Sequence, residues 1–186
     1  MQLEVQSALG GAFVTIAVMT SLLLRRRSRR TDALFAVLCG LLVAWFGAVF
    51  LAGYYQSAPI KRVELAVASL IPAAIIRLFA DLVPWHTVRG RRLMNTAYTL
   101  SGLMAVASIS PLGDFEFFQI AVSVYILGTI LTASRLMTDS GDVGRGTVEH
   151  ARRRYLAIGA SLGTTLAIVG EIPALGNSWA ALGHLA

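Results

Sequence analysis

Charge is scarce in this chain, and what is missing excludes more than what is present. Only 14% of its 186 residues are charged, against roughly a quarter in a soluble globular domain. Lysine is nearly absent: Lys61 is the sole copy, so no buried lysine is available for a retinal-type Schiff base. Cysteine is limited to Cys39, which rules out an internal disulfide and a thiolate metal cluster. In its apolar surroundings Cys39 reads as a small hydrophobe. The N-terminus lacks the basic flank of a cleaved signal peptide: Met1 to Val5 carries Glu4 and no base, and arginines follow the apolar stretch.

What fills the space is apolar. Hydrophobic residues make up 56% of the chain, with a mean hydropathy of +0.68. They come in long blocks, not in the short alternating runs of strands. A crossing needs about 20 apolar residues, so six or seven crossings would use nearly the whole length and leave no room for a soluble catalytic domain. The expected fold is all-α: one polytopic membrane helix bundle over 1–186, with six spans and the start of a seventh. The blocks run over about 7–24, 33–55, 63–84, 93–109, 115–134 and 155–170, and the fragment covers 179–186. A chain that stops about two turns into a helix is expected to continue in the natural protein.

Basic loops separate the blocks. Thr31 or Asp32 is placed to cap the second block, and Pro59, Lys61 and Arg62 fall in a short loop before the third. His86 to Arg92 forms a second basic loop, and Arg135 to Arg154 the longest one. Thirteen of the 16 basic residues lie on one side: Arg25, Arg26, Arg27, Arg29, Arg30, Arg89, Arg91, Arg92, Arg135, Arg145, Arg152, Arg153 and Arg154. The other side has Lys61 and Arg62, while Arg77 lies within the third block. The bias predicts the arginine loops in the cytoplasm and the N-terminus outside, in an inner membrane. It also accounts for the net charge of +6 without nucleic acid as a partner, because the bases flank the spans.

Few residues point to chemistry. Arg77 and Asp81 sit four apart near the cytoplasmic end of the third block and share a face. Ionisable groups within a span often mark function. Two readings stay open: Arg77 snorkels to the interface with Asp81 neutralising it, or the pair is a switchable latch below a kink at Pro72. In the sixth block, Gly159 and Gly163 form a small-xxx-small motif for close helix packing, within the bundle or across a dimer. His86, His150 and His184 show no paired-ligand spacing for a metal or haem. Asp139, Gly141, Asp142 and Gly144 echo a calcium loop without its later glutamate. Trp45, Trp85 and Trp179 suit packing or interfacial anchoring. No nucleophile has a credible base, no phosphate-binding glycine loop is present, and no cofactor is expected.

The order of features resembles the N-terminal seven-helix sensory region of bacterial membrane histidine kinases. Arg25-Arg26-Arg27 closes the first helix, Asp32-Ala33-Leu34-Phe35 opens the second, and Ala44-Trp45 lies in its middle. Leu70-Ile71-Pro72 stands at the centre of the third, and Leu182-Gly183-His184-Leu185 is similar to the opening of the last. The resemblance implies a sensory input domain for an unidentified ligand, lipid or membrane state. Its last helix would lead into cytoplasmic GAF or PAS modules, then dimerisation and ATPase domains acting on a response regulator. Those modules would provide homodimerisation, and no residue of this chain inherits the phosphorylated histidine or the ATP site. A different expectation is a small transporter or channel, for which Thr99, Ser101, Ser123, Tyr125, Thr164 and Thr165 are the polar candidates. A structural subunit of a membrane complex is the third.

Overall fold

The computed structural model describes residues 2–23, 30–82, 88–139 and Ile158. Among these residues the chain is all-helical. Five α-helices follow one another: α1 (Gln2–Leu23), α2 (Arg30–Tyr55), α3 (Ala58–Leu82), α4 (Val88–Ile109) and α5 (Glu116–Asp139). A 3-10 turn, Pro111–Asp114, separates the last two. Three segments, Arg30–Tyr55, Ala58–Asp81 and Glu116–Leu136, are long and apolar enough to cross a membrane. Helices suit such segments because lipid offers the backbone no hydrogen-bond partner, so each N–H and C=O must be satisfied within the segment.

Among the described residues, one expected crossing, α4, falls short of that standard. Within α1 the described side chains include a shorter apolar run, Ala8–Thr20. Helix α4 begins inside the basic stretch and carries Arg91, Arg92, Asn95, Thr96, Thr99 and Ser101 along its length. The blocks expected over 155–170 and 179–186 lie outside the described residues, apart from Ile158.

The helices also overrun the expected boundaries. Pro59, Lys61 and Arg62 belong to the first turns of α3, not to a loop, and the α2–α3 connection shrinks to Gln56 and Ser57. The Ser57 carbonyl accepts from the N–H groups of Ile60 and Lys61, both at 3.1 Å, and so starts the helix. Pro59 fits there because N–H groups of a first turn have no intrahelical acceptor to lose. Gln56 closes α2 with φ at 48°, its N–H donating to the Ala52 carbonyl at 2.9 Å. Likewise α4 winds from Val88 through Arg92, and α5 continues past Ser134 to Asp139.

The centre of the described bundle is α3. It packs against α2 on one side and against α4 and α5 on the other, while α1 rests on α2. Its two working faces follow from helical spacing. Ile71 and Leu78 meet Leu38, flanked by Leu34, Phe35 and Trp45. Ile76 and Phe79 meet Ala97 of α4 and Ala133 of α5. Pro72 is fully buried and α3 runs through it unbroken. Proline removes one backbone donor there; just upstream, the Ser69 hydroxyl donates to the Leu65 and Ala66 carbonyls, at 2.9 Å each.

One glycine stands in close approach at the α1–α2 contact. A Cβ on Gly11 would stand 2.8 Å from the buried Phe46 ring, whereas one on Gly10 would meet nothing. Gly11→Ala is expected to loosen the pair by roughly 1–2 kcal/mol. Gly10→Ala is expected to stabilise α1 by up to about 1 kcal/mol through helix propensity. Thermal unfolding of both variants in one detergent checks this, and equal melting temperatures would refute the close approach.

Candidate functional site

Charge is concentrated at the two ends of α3, and each end is tied to a different part of the chain. At its last turn, Asp81 accepts a hydrogen bond from the Thr31 hydroxyl at 2.6 Å. The other carboxylate oxygen lies 3.5 Å from Arg30 Nε. The two-residue turn makes α2 and α3 antiparallel neighbours, so the start of α2 faces the end of α3. The Asp81 side chain is 19% exposed and that of Arg30 69%. The hydroxyl bond is therefore the stronger half of this clamp, because a solvated ion pair is worth little.

Arg77 is not part of it. It is half-buried, and among the described residues it makes no ion pair or hydrogen bond. The expected Arg77–Asp81 pairing gives way to the one across to α2. Base-before-acid is the weaker order for a pair four apart on a helix, and the Thr31 hydroxyl reaches the short aspartate directly.

At the opposite end, Arg62 grips Asp114 of the 3-10 turn with two nitrogens on two oxygens, Nε to Oδ1 at 2.8 Å. The fork matches a carboxylate in geometry as well as charge. The turn is held for this contact. Ser110 Oγ accepts from the Leu112 N–H, and the Gln119 side-chain amide donates to the Gly113 carbonyl at 3.1 Å. The Arg62 guanidinium holds the Asp114 carboxyl below the usual carboxylate range, chiefly through the hydrogen bonds it donates to that carboxylate.

A depressed folded-state pKa fixes the sign of the pH response. The contact is fully present above the ordinary aspartate range, near about 3.9, and is lost only as pH falls through the lower folded value. Carbon-13 titration of the Asp114 carboxyl should give a midpoint below that of a free aspartate, returned to the ordinary range by Arg62→Gln. A wild-type midpoint at or above the ordinary value would refute the grip.

Between the two ends lies a polar contact of α4 with α5. The Tyr125 hydroxyl donates to the Ala97 carbonyl at 3.0 Å and lies 2.8 Å from Ser101 Oγ. Tyrosine has one hydroxyl proton, so Ser101 is the donor in the second bond. Of the polar candidates for a transport path among the described residues, these two are brought together, while Thr164 and Thr165 lie outside the described residues. Ser123 turns back to the Gln119 carbonyl at 3.1 Å, and Thr99 is exposed.

The remaining expected residues are distributed as follows. Arg30, Arg91 and Arg92 are exposed, and Pro72 is buried in the middle of α3. Arg89 belongs to the first turn of α4. Arg25, Arg26, Arg27, Arg29, Arg152, Arg153, Arg154, Gly159, Gly163, Trp85, Trp179 and the three histidines lie outside the described residues. Sequence reasoning missed the Arg62–Asp114 grip. Its only signal was that the two bases of the arginine-poor side face a short acidic stretch, Asp114 and Glu116. No protein-family model matches the chain, and no curated protein or solved structure is significantly similar to it.

Proposed function

We propose that the chain is the membrane-embedded sensory input part of a two-component signalling histidine kinase. It sits in the bacterial inner membrane with its N-terminus outside, crosses six times and begins a seventh helix toward a cytoplasmic kinase module. A ligand, lipid or membrane state is sensed at the outer or middle level. A small change in helix packing around Pro72 is relayed through the last helix, and the kinase module carries the homodimer contact and the response regulator.

The observation that best supports this is the position of α3. One helix contacts α2, α4 and α5, holds a buried proline at its middle, and is fixed at both ends by separable polar contacts. A two-state sensor needs an element of this kind, whose equilibrium can be biased from one end and read at the other. Orientation follows from charge. Arg30, Arg91 and Arg92 collect at the end shared by the starts of α2 and α4, while the opposite end has Lys61 and the neutralised Arg62.

The coding sequence beyond Ala186 is the direct test. A continuation through a seventh helix into a dimerisation histidine and an ATP-binding module supports the sensor kinase; an immediate stop codon overturns it. Alkaline phosphatase fused after Gln56 should be active and after Leu82 inactive, and the reverse pattern overturns the orientation. The convergence of Ser101 and Tyr125 favours a transporter or channel as the second reading. Their hydroxyls are spent on each other and on Ala97, which suits a helix–helix peg better than a path. Flux through proteoliposomes separates that reading from a structural subunit.

A further inference from the structure

The outward face of α4 changes character along its length in a fixed order. Arg91 and Arg92 are exposed at its start, Asn95, Thr96 and Thr99 are exposed next, and Leu103, Val106 and Ile109 are 62–72% exposed beyond them. From Arg92 the steps of three, four, seven, eleven and fourteen residues keep Asn95, Thr96, Thr99, Leu103 and Val106 on a single stripe. Fourteen residues of helix span about 21 Å. One leaflet measures about the same, roughly 15 Å of hydrocarbon beneath roughly 6 Å of headgroup and glycerol.

The middle of the stripe is also chemically unfinished. Hydroxyls on these helices ordinarily bond back to their own backbone: Thr15 to Gly11, Ser108 to Met104, and Thr132 to Gly128, at 2.7 Å each. Among the described residues, the side chains of Asn95, Thr96 and Thr99 make no hydrogen bond, and Arg91 and Arg92 make no ion pair. Helix α2 offers the contrast: its exposed face passes from Arg30 straight to Ala33 and Val37, with no polar tier between.

We infer that this face of α4 binds an anionic phospholipid of the leaflet at that end. Arg91 and Arg92 take the phosphate, Asn95 and Thr99 the glycerol and ester oxygens, and Leu103 and Val106 lie along an acyl chain. A second copy of the chain in parallel on the same face would oppose arginine to arginine, and a soluble anion would leave the lower half of the stripe unused. The inference rests on α4 lying in the bilayer, not on the sensory function.

The test is native mass spectrometry of the full chain extracted from nanodiscs of phosphatidylcholine with a minor fraction of phosphatidylglycerol. Phosphatidylglycerol should be retained preferentially. Arg91→Gln and Arg92→Gln should each lower retention about fivefold, and Thr99→Val should lower it with no change of charge. Lys61→Gln, at the other end, should leave it unchanged. Equal retention of the two lipids overturns the inference, as does a loss with Lys61→Gln matching that with Arg92→Gln. No effect of Thr99→Val, or displacement of the lipid by inorganic phosphate, also overturns it. Labelling of Val106→Cys in a Cys39→Ala chain by a water-soluble maleimide reports separately on α4. If it reacts, the inference falls with the membrane placement and not with the headgroup chemistry.

Discussion

Replacing Gly113 with alanine is expected to cost about 3 kcal/mol, the upper end of what overpacking a tight contact does. The new Cβ would stand 2.2 Å from the Ser108 carbonyl oxygen and 3.1 Å from its carbon. Both are backbone atoms at the end of α4, so no side chain can rotate away to make space. The remaining neighbour, Arg62 Cγ at 3.3 Å, belongs to the residue whose guanidinium holds Asp114. Relief must come from moving the 3-10 turn, and that carries Asp114 away from Arg62. Two readouts should therefore change together: the unfolding midpoint in detergent falls, and the Asp114 carboxyl titrates closer to its ordinary range. A stability within about 0.5 kcal/mol of wild type, the scale of a neutral surface change, would refute the close approach.

The second large effect is expected at Asp81. Asp81→Ala removes the acceptor of the Thr31 hydroxyl and the partner of Arg30, for a loss of about 1–3 kcal/mol. The identity of the partner is settled by double-mutant cycles, because residues in direct contact couple and residues without a shared interaction add. Asp81→Ala with Thr31→Val should show a coupling of about 1 kcal/mol. Asp81→Ala with Arg77→Ala should show almost none. A substantial coupling in the second cycle would restore the pairing suggested by the four-residue spacing. If the sensor reading holds, Thr31→Val and Asp81→Ala should shift kinase output in the same direction while membrane insertion stays intact.

The long apolar blocks made the helical architecture legible, because lipid leaves a backbone few alternatives. The ends of the helices were much less legible. Hydropathy marks where lipid stops, whereas helix ends depend on capping and on local propensity. Arginine and leucine are good helix formers, so α4 starts at Val88 and winds through Arg89–Arg92, and α5 runs through Arg135, in stretches that hydropathy alone assigns to loops. Pro59 looked like a loop residue, yet the first turn of α3 accommodates it.

Side-chain partners were harder still. Spacing showed that Arg77 and Asp81 share a face, but periodicity carries no information about the neighbouring helix and its register. Thr31 and Asp81 are 50 residues apart, and Arg62 and Asp114 are 52 apart. Both contacts exist because antiparallel packing brings those helix ends together, and a single sequence records that only in three dimensions. Ser101 and Tyr125 were legible as polar groups within apolar helices, but their meeting was not.

The short link at Gln56–Ser57 has a consequence for how the protein is made. From Tyr55 to Ala58 the chain can extend only about 10 Å, far less than the roughly 30 Å of hydrocarbon it would need to cross. With α2 and α3 across a membrane, the end of α2 and the start of α3 would therefore have to emerge on the same surface. The two helices would form one hairpin there, with Lys61 and Arg62 at its tip. Inverting either helix inverts both, and a nascent chain halted at Tyr55 holds Leu38 with neither Ile71 nor Leu78 to meet it.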